Sequence, residues 1–330
     1  MPSAPGAHRF TWDLDKTYLR TEFETVRGLL RAAFEEAEDK VAFPGAAKLL
    51  QAIRREPGRT LHLLSGSPRQ MRRTLEEKLS LDGIMWDRFE LKPNLENLLR
   101  GRFRAVRDQV GYKLPALLRW RARGPVDVDE TLVGDDAEAD AFVYSLYADL
   151  IAGRVRRAEL ERVLDLAECH DEARERVREA LNRVVLRDGV RRILIHLDRR
   201  TPPARLAAYG PRLVPVHNYF EMALVLHSDG RLADRAVVEV AKELAGTAGY
   251  GTAALVNALD GLVRRRHLDP AVAAAQAQLL ALAFGGTRWT REVARLAGSA
   301  RRRRPAPPAG KGPPDYAALY RQTGGRSIGV

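Results

Sequence analysis

The sequence contains a single cysteine, Cys169, among its 330 residues. It can therefore form no internal disulfide and no cysteine-rich zinc site, and this scarcity is typical of proteins kept in a reducing cytoplasm. It also lacks a run of about eighteen apolar residues, the length that a membrane-spanning helix requires. The first nine residues lack the apolar stretch of a signal peptide. We expect a cytoplasmic protein, with peripheral association at a membrane as the alternative.

Acidic residues are also comparatively few. The 55 lysines and arginines outnumber the 43 aspartates and glutamates, which leaves a net charge of +12. Such an excess favours an anionic partner, which could be a phosphate ester, a lipid surface or nucleic acid. The alternative is that a GC-rich genome encodes arginine in place of lysine. Hydrophobic residues still make up 45% of the chain, which is enough for a packed core.

Strand-like apolar segments alternate with helical segments as far as about residue 228. The predicted strands cover residues 10–15, 60–65, 89–92, 130–136, 192–198 and 213–216. The predicted helices cover residues 21–39, 46–55, 69–79, 112–121, 141–151 and 159–186, the last with a break near Asp171. This alternation indicates an α/β fold, with a parallel sheet and helices on both of its faces. Only helices are predicted between residues 232 and 298.

These patterns predict three regions of the chain. The first is an α/β domain over residues 1–228, with a helical insertion at about 154–188; a helical region over 229–299 follows. Residues 300–330 form a basic tail, rich in proline and glycine, whose composition is unsuited to packing a core. The run Arg301–Arg304 is typical of a solvated tail, and its alternative role is a contact with anionic lipid or nucleic acid.

Two aspartates follow the first apolar segment, and they are the candidate catalytic pair. Asp13 and Asp15 are two residues apart, so on a strand both side chains point to the same face. The carboxyl end of a strand is where open α/β sheets bind ligands. Such a pair can hold a hard cation and divide the chemistry between a nucleophile and a proton donor. The alternative is a solvated strand end that leads into a helix cap.

Three more polar features follow in order, each predicted at the end of a strand or the start of a helix. Ser65 ends the second strand, and Lys113 begins a helix just after Gly111, with Lys92 as a nearby competitor. The third is the acidic group that ends the fourth strand, which comprises Asp135, Asp136 and Asp140. Because parallel strands bring their carboxyl ends to one edge of a sheet, we expect these residues to converge there.

Phosphoryl transfer explains the residue types. A phosphate monoester repels an anionic nucleophile, and Mg²⁺ removes that barrier by bridging phosphate and carboxylate. Asp13 and Asp135 would bind the metal directly, with the backbone carbonyl of Asp15 as a third ligand. Either Asp136 or Asp140 would complete the metal site by orienting a metal-bound water, without binding the metal directly. The Asp15 carboxyl would protonate the leaving oxygen and then activate water.

The remaining candidates would contact the substrate. Ser65 and Lys113 would donate hydrogen bonds to the phosphoryl oxygens, and Lys113 would offset charge as it develops. Thr17, Gly66 and Arg69 lie beside these motifs and are the candidate substrate-binding residues.

The four features together resemble the haloacid dehalogenase-like hydrolase superfamily. The motifs that carry the resemblance are DLDKT at 13–17, LHLLS at 61–65, Lys113 and GDDAEAD at 134–140. The resemblance implies a doubly wound, three-layer α/β sandwich with magnesium at the edge of its sheet. It also implies that Asp13 is the phosphorylated nucleophile and Asp15 the acid/base.

A narrower resemblance, to the App-type phosphatidate phosphatase family, rests on the serine-x-serine-proline turn at 65–68, Pro44-Gly45, and Asp140 and Tyr144 beyond Asp135. It implies a phospholipid monoester as substrate. The chain departs from the family at Lys16, where an aspartate is usual, at Arg69, where an aromatic residue is usual, and in the helical insertion. These departures leave general phosphatase chemistry intact.

The sequence therefore predicts a magnesium-dependent phosphatase with a phospholipid substrate. A nucleic-acid end or nucleotide phosphatase is the enzymatic alternative, and a scaffold that binds anionic surfaces is the alternative without catalysis. Only about 45 residues separate the first two motifs, too few for a large cap domain, so we expect a small cap or none.

Overall fold

A computed structural model describes residues 6–20, 36–92, 105–137, 139–247, 250–285, 291, 295 and 312–322 of the chain. The helix predicted over 21–39 lies almost wholly outside the described residues, and at its end residues 37–39 form a turn. The Arg301–Arg304 run also lies outside them. No helix in the described part of the chain is long and apolar enough to cross a membrane.

A six-stranded sheet forms the centre of the fold. Its strands are β1 (His8–Asp13), β2 (Arg59–Pro68), β3 (Arg88–Lys92), β4 (Asp129–Asp135), β5 (Val190–His196) and β6 (Leu213–Val216), in the spatial order β3-β2-β1-β4-β5-β6. β1 pairs in parallel with β2 and β4, and β2–β3 and β4–β5 are also parallel. The predicted doubly wound α/β fold is confirmed.

The strand order reverses between β1 and β4. From β1 the chain builds outwards through β2 and β3, and then crosses back to β4 and builds through β5 and β6 on the other side. Sheets of this kind bind ligands at the carboxyl ends of the two strands that flank the reversal. Asp13 is the last residue of β1 and Asp135 the last of β4. The topology alone therefore brings these two aspartates to the ligand-binding position.

The helices flank the sheet or follow it in sequence. They are α1 (Ala46–Arg55), α2 (Arg72–Leu81), α3 (Ala105–Arg123), α4 (Asp140–Ile151), α5 (Arg157–Leu166), α6 (Asp171–Asn182), α7 (Pro203–Leu206), α8 (Tyr219–Ser228), α9 (Asp234–Thr247), α10 (Thr252–Arg264), α11 (Pro270–Phe284) and α12 (Tyr316–Gln322). All twelve residues of α4 are buried, which fits its apolar sequence. The break predicted near Asp171 is confirmed, because α5 and α6 are separate helices.

The chain divides into two compact units. The first unit comprises residues 1–41, 58–215 and 309–330, and the second comprises residues 42–57 and 216–308. Helix α1 thus groups with the C-terminal helices instead of the sheet. The reason lies at Gly45, before α1, where the backbone has a φ of +82° and a side chain would come within 3.3 Å of Tyr219 and Val240. Only glycine combines this backbone with so close an approach.

Part of the predicted tail is packed into the first unit. Tyr316 of α12 is fully buried, and its hydroxyl donates a 2.6 Å hydrogen bond to Asp149 of α4. The Phe142 ring of α4 meets the rings of Tyr316 and Tyr320 edge-on, at 5.7 and 5.9 Å between centroids. Tyr316, Leu319 and Tyr320 have the spacing of one helix face, although the proline-rich sequence before them has the composition of a tail.

The docking of α12 predicts a stability effect. Tyr316→Phe leaves a buried carboxylate short of one donor, so we expect the free energy of unfolding to fall by about 1–3 kcal/mol in chemical denaturation. Tyr250→Phe is the matched control, because its hydroxyl makes no hydrogen bond to a described residue. Equal stability of the two variants would show that α12 does not hold Asp149 in solution.

Candidate active site

Three buried aspartates form the centre of the site. Oxygen atoms of Asp13, Asp135 and Asp140 all lie within 4.8 Å of one another, and each of the three residues is fully buried. Asp13 and Asp135 end neighbouring strands, and Asp140 is the first residue of α4. The sequence predicted that these residues converge, and the structure brings them together.

Hydrogen bonds from two backbone N–H groups and one hydroxyl fix the orientation of the aspartates. The Asp135 N–H donates to Asp140 Oδ2 at 3.2 Å, and the Ala137 N–H donates to Asp135 Oδ1 at 2.6 Å. The buried Thr17 hydroxyl donates to Asp135 Oδ2 at 3.2 Å. Thr17 was predicted to bind substrate, and here it positions a carboxylate of the cluster.

Lys113 is the cation of the cluster. Its side chain is fully buried, and its Nζ lies 2.8 Å from Asp13 Oδ1 and 2.5 Å from Asp140 Oδ1. The competing Lys92, at the end of β3, remains partly exposed. The structure therefore brings Lys113 to the aspartates, and Lys113 is the lysine that the sequence analysis favoured over Lys92.

The predicted location of Lys113 at a helix start is wrong. Within the described residues α3 begins at Ala105, so Lys113 lies in the interior of the helix. The sequence predicts the start after Gly111, because glycine is unfavourable within a helix, but Gly111 also lies inside α3. Here Pro115 is inside α3, where it cannot donate a hydrogen bond to the carbonyl of Gly111.

The charges of the cluster fit a bound divalent cation. Three buried carboxylates face one buried ammonium group, and an excess of buried negative charge is costly unless it is neutralised. Carboxylate oxygens are the ligands that hard cations such as Mg²⁺ prefer. The donor set of this chain thus suits a metal of that type.

Asp15 lies beyond the strand that was predicted to carry it. β1 ends at Asp13, so strand alternation does not explain the placement of Asp15. Two serine hydroxyls hold its carboxylate: Ser65 donates to Oδ2 at 2.6 Å, and Ser67 lies 2.9 Å from both oxygens. The Ser67 N–H in turn donates to Ser65 Oγ at 3.0 Å.

Sequence reasoning missed Ser67. The signal was available, because serines two residues apart on a strand point to the same face. Both residues belong to β2, whose pairing with β3 shifts in register between Ser65 and Pro68. Gly66 lies between them and is partly exposed, and Arg69 follows with an exposed side chain.

Asp136 is not part of the acidic cluster. Its two carboxylate oxygens accept the backbone N–H groups of Arg199 and Thr201, at 2.8 and 2.9 Å. The residue therefore fastens the loop after β5 to the end of β4. The sequence left open whether Asp136 or Asp140 belongs to the metal site, and of these two residues Asp140 is the one that lies in the acidic cluster.

Two buried tyrosines lie beside the aspartates. The hydroxyls of Tyr112 and Tyr144 make no hydrogen bond to a described residue. Burial raises the pKa of both well above its ordinary value; Asp140 raises the pKa of Tyr144 further, as Glu90 does that of Tyr112. Both phenols therefore stay protonated and keep a donor near the site. Tyr144 is one helical turn after Asp140, a spacing that was visible in the sequence.

A parallel sheet with an aspartate at each strand end beside its reversal point, and a buried lysine against them, agrees with the resemblance to the haloacid dehalogenase-like class. More narrowly, residues 10–159 match the sequence model of the family described as phosphatidate phosphatase APP1, catalytic domain. The match spans less than half of the chain and includes every residue of the acidic cluster. It confirms the App-type resemblance and the enzyme class, a phosphoric monoester hydrolase. No curated protein and no solved structure matches the chain.

Substitution of Gly134 tests whether the acidic cluster depends on the position of Asp140, whose side chain packs closely against this glycine. A methyl group at Gly134 would fall 2.6 Å from Asp140 Cγ and still closer to its Oδ2. We expect Gly134→Ala to displace Asp140 and to weaken metal binding, followed by calorimetric titration, about 10- to 100-fold.

Gly111→Ala is the matched control for this substitution. Gly111 lies in α3, the helix that carries Lys113. A methyl group added there would lie 3.5 Å from Ala173, which is an ordinary van der Waals distance. We expect metal binding close to that of the unaltered protein. Equal metal affinity of the two variants would contradict a role for Asp140 in holding the metal.

Proposed function

We propose that this chain is a Mg²⁺-dependent phosphatase that hydrolyses a phosphate monoester through an aspartyl-phosphate intermediate, with phosphatidate or a related phospholipid as its substrate. The observation that carries the proposal is the contact of Lys113 with Asp13 and Asp140 in the three-aspartate cluster. This cluster lies in the part of the chain that matches a phosphatidate phosphatase catalytic domain.

Asp13, Asp135 and Asp140 are the proposed side-chain ligands, with the backbone carbonyl of Asp15 as a further one. When bound, Mg²⁺ would offset the charge of the phosphate and let an anionic nucleophile approach it. The carboxylate of Asp136 is held by two backbone N–H groups, so we assign it a structural role.

Asp13 is the proposed nucleophile. One of its carboxylate oxygens attacks phosphorus and the bond to the leaving alcohol breaks, while the alcohol oxygen takes a proton from the Asp15 carboxyl group. Asp15 then accepts a proton from water. That water attacks phosphorus, the bond to Asp13 breaks, and phosphate leaves. Both aspartates return to their starting forms, so the cycle balances.

The contacts of Lys113 and Ser65 support this division of labour. Lys113 holds the nucleophile and can donate to phosphoryl oxygens as their charge develops. Ser65 and Ser67 hold the Asp15 carboxylate through their hydroxyls, which can also rotate to accept a hydrogen bond once Asp15 is protonated. Arg69 and Gly66, at the exposed end of β2, remain the proposed substrate contacts.

Substitution of the nucleophile tests the mechanism. Labelled substrate, quenched in acid during turnover, should leave phosphate on the protein in a bond that hydroxylamine cleaves. Asp13→Asn should lose this label and lower turnover at least 1,000-fold, because the attacking oxygen is lost. Asp135→Asn should lose activity that added Mg²⁺ partly restores. Label that persists in Asp13→Asn, with deamidation excluded by mass spectrometry, would contradict the assignment.

A comparison of substrates tests the proposed specificity. We expect faster turnover on phosphatidate than on nucleotides or on oligonucleotides with a 3′- or 5′-phosphate, because the family match is to a phosphatidate phosphatase. The measurement is kcat/KM for released phosphate with Mg²⁺ and after EDTA treatment. Cleavage of oligonucleotide ends without cleavage of phosphatidate would replace the lipid with a nucleic acid while leaving the Asp13 mechanism intact.

A further inference from the structure

Exposed and partly exposed cations are concentrated at the edge of the sheet that carries the site. We call this set the cationic rim; its members are Lys16, Arg20, Arg69, Lys92, Arg199 and Arg200. Lys16 and Arg20 follow β1, and Arg69 follows β2. Lys92 is the last residue of β3, and Arg199 and Arg200 follow β5. Among the described residues of the loops that carry these cations, Asp198 is the one exposed acid, because Asp15 and Asp136 are buried.

Part of the cationic rim is a compact group. Although Asp198 is exposed, nearby protein desolvates its carboxyl group and raises its pKa, and Asp136 raises it further, whereas Lys16, Arg199 and Arg20 act in the opposite direction. These three cations therefore lie within electrostatic range of one carboxyl group. The backbone ties the group to the site, since the Arg199 N–H donates to Asp136 and the Lys16 carbonyl lies 3.5 Å from His196 Nδ1.

Two members of the rim occupy a costly backbone conformation. Lys16 and Arg200 both have a φ of +56°. This left-handed region costs an ordinary side chain about 1 kcal/mol, and aspartate or asparagine tolerate it better. An unfavourable conformation that persists beside a functional site is a reason to look for a role of the side chain. What Lys16 and Arg200 share is a positive charge at the same edge of the sheet.

The opposite edge of the sheet has a different balance of charge. The described loops that lead into β3, β4 and β5 carry four aspartates, at positions 82, 87, 127 and 188, against Arg183 and Arg187, and Arg88 at the start of β3 adds a third cation. The high arginine content of the chain would enrich both edges alike. The enrichment at the site edge is therefore a local feature, and not a consequence of overall composition.

We propose that the cationic rim docks on the surface of a bilayer that contains anionic phospholipid, and so presents the site to a lipid-borne phosphate. The inference rests on the proposed function for its choice of lipid. The rim itself also favours lipid over single-stranded nucleic acid, because its described loops expose no aromatic side chain on which a base could stack. Each cation near an anionic leaflet strengthens binding about five-fold, and salt screens this attraction.

The test compares two triple variants with the same loss of charge. Arg20→Gln/Arg199→Gln/Arg200→Gln neutralises half of the rim and leaves the proposed substrate contact Arg69 in place. Arg88→Gln/Arg123→Gln/Arg183→Gln removes three exposed arginines at or near the opposite edge. Both are measured by sedimentation with phosphatidylcholine vesicles that contain one-fifth phosphatidate or phosphatidylserine, at low and physiological salt, after thermal denaturation has shown that they fold.

We expect the rim variant to bind vesicles on the order of 100-fold more weakly. The opposite-edge variant should change binding less than about three-fold, and both should hydrolyse a soluble short-chain phosphatidate at the unaltered rate. A third variant, with Arg301–Arg304 changed to glutamine, separates the tail from the rim. Deletion of residues 301–330 is unsuitable because it would also remove the buried Tyr316.

Equal losses in the rim and opposite-edge variants would overturn the proposal, since binding would then follow net charge alone. Loss confined to the tail variant would overturn it as well. Rim-dependent binding to an oligonucleotide without rim-dependent binding to vesicles would identify nucleic acid as the partner. Failure of the proposed function looks different: the soluble phosphatidate would not be hydrolysed, although rim-dependent vesicle binding would remain.

Discussion

The contact of Lys113 with two buried aspartates is the interaction on which the site depends. A buried carboxylate without a partner is expensive, and removal of one member of a buried ion pair typically costs about 3–5 kcal/mol. Lys113 meets Asp13 and Asp140 at once, so one side chain joins the end of β1, the middle of α3 and the start of α4. The geometry of all three elements is therefore coupled at a single ammonium group.

Residues far from the motifs keep those elements in place. The inserted helix α6 packs on α3, and Ala173 comes close to Gly111, two residues before Lys113. Helix α12 packs on α4, where Tyr316 binds the carboxylate of Asp149, nine residues after Asp140. The helical insertion and the C-terminal segment thus support the two helices that supply Lys113 and Asp140. Neither segment contributes a side chain to the acidic cluster.

The sheet was predictable from sequence because most of its strands contain a short apolar run, and the motifs mark where these runs end. β4 and β5 are buried along nearly their whole length, as parallel strands covered on both faces must be. Motif order together with the parallel topology was enough to bring Asp13, Lys113, Asp135 and Asp140 to one edge.

Predictions failed where tertiary contacts override a local signal. The helix start predicted after Gly111 is wrong, because α3 tolerates this glycine in its interior. Strand alternation was extended from Asp13 to Asp15, although two serines of a neighbouring strand fix Asp15. The proline-rich C-terminal segment gave no sign of the pocket that receives Tyr316, because that pocket is formed by α4. Each error concerns a position whose neighbours are distant in sequence.

The serines around Asp15 bear on how one carboxyl group can serve two steps. A proton donor must first be protonated, whereas the following step needs a carboxylate that accepts a proton. A hydroxyl group both donates and accepts, so rotation of Ser65 and Ser67 can accommodate either form of Asp15 without movement of the backbone. A lysine or arginine in their place would hold only the charged form. In the proposed mechanism the serine pair would thus keep Asp15 in one orientation through both steps, while Lys113 would supply the fixed positive charge.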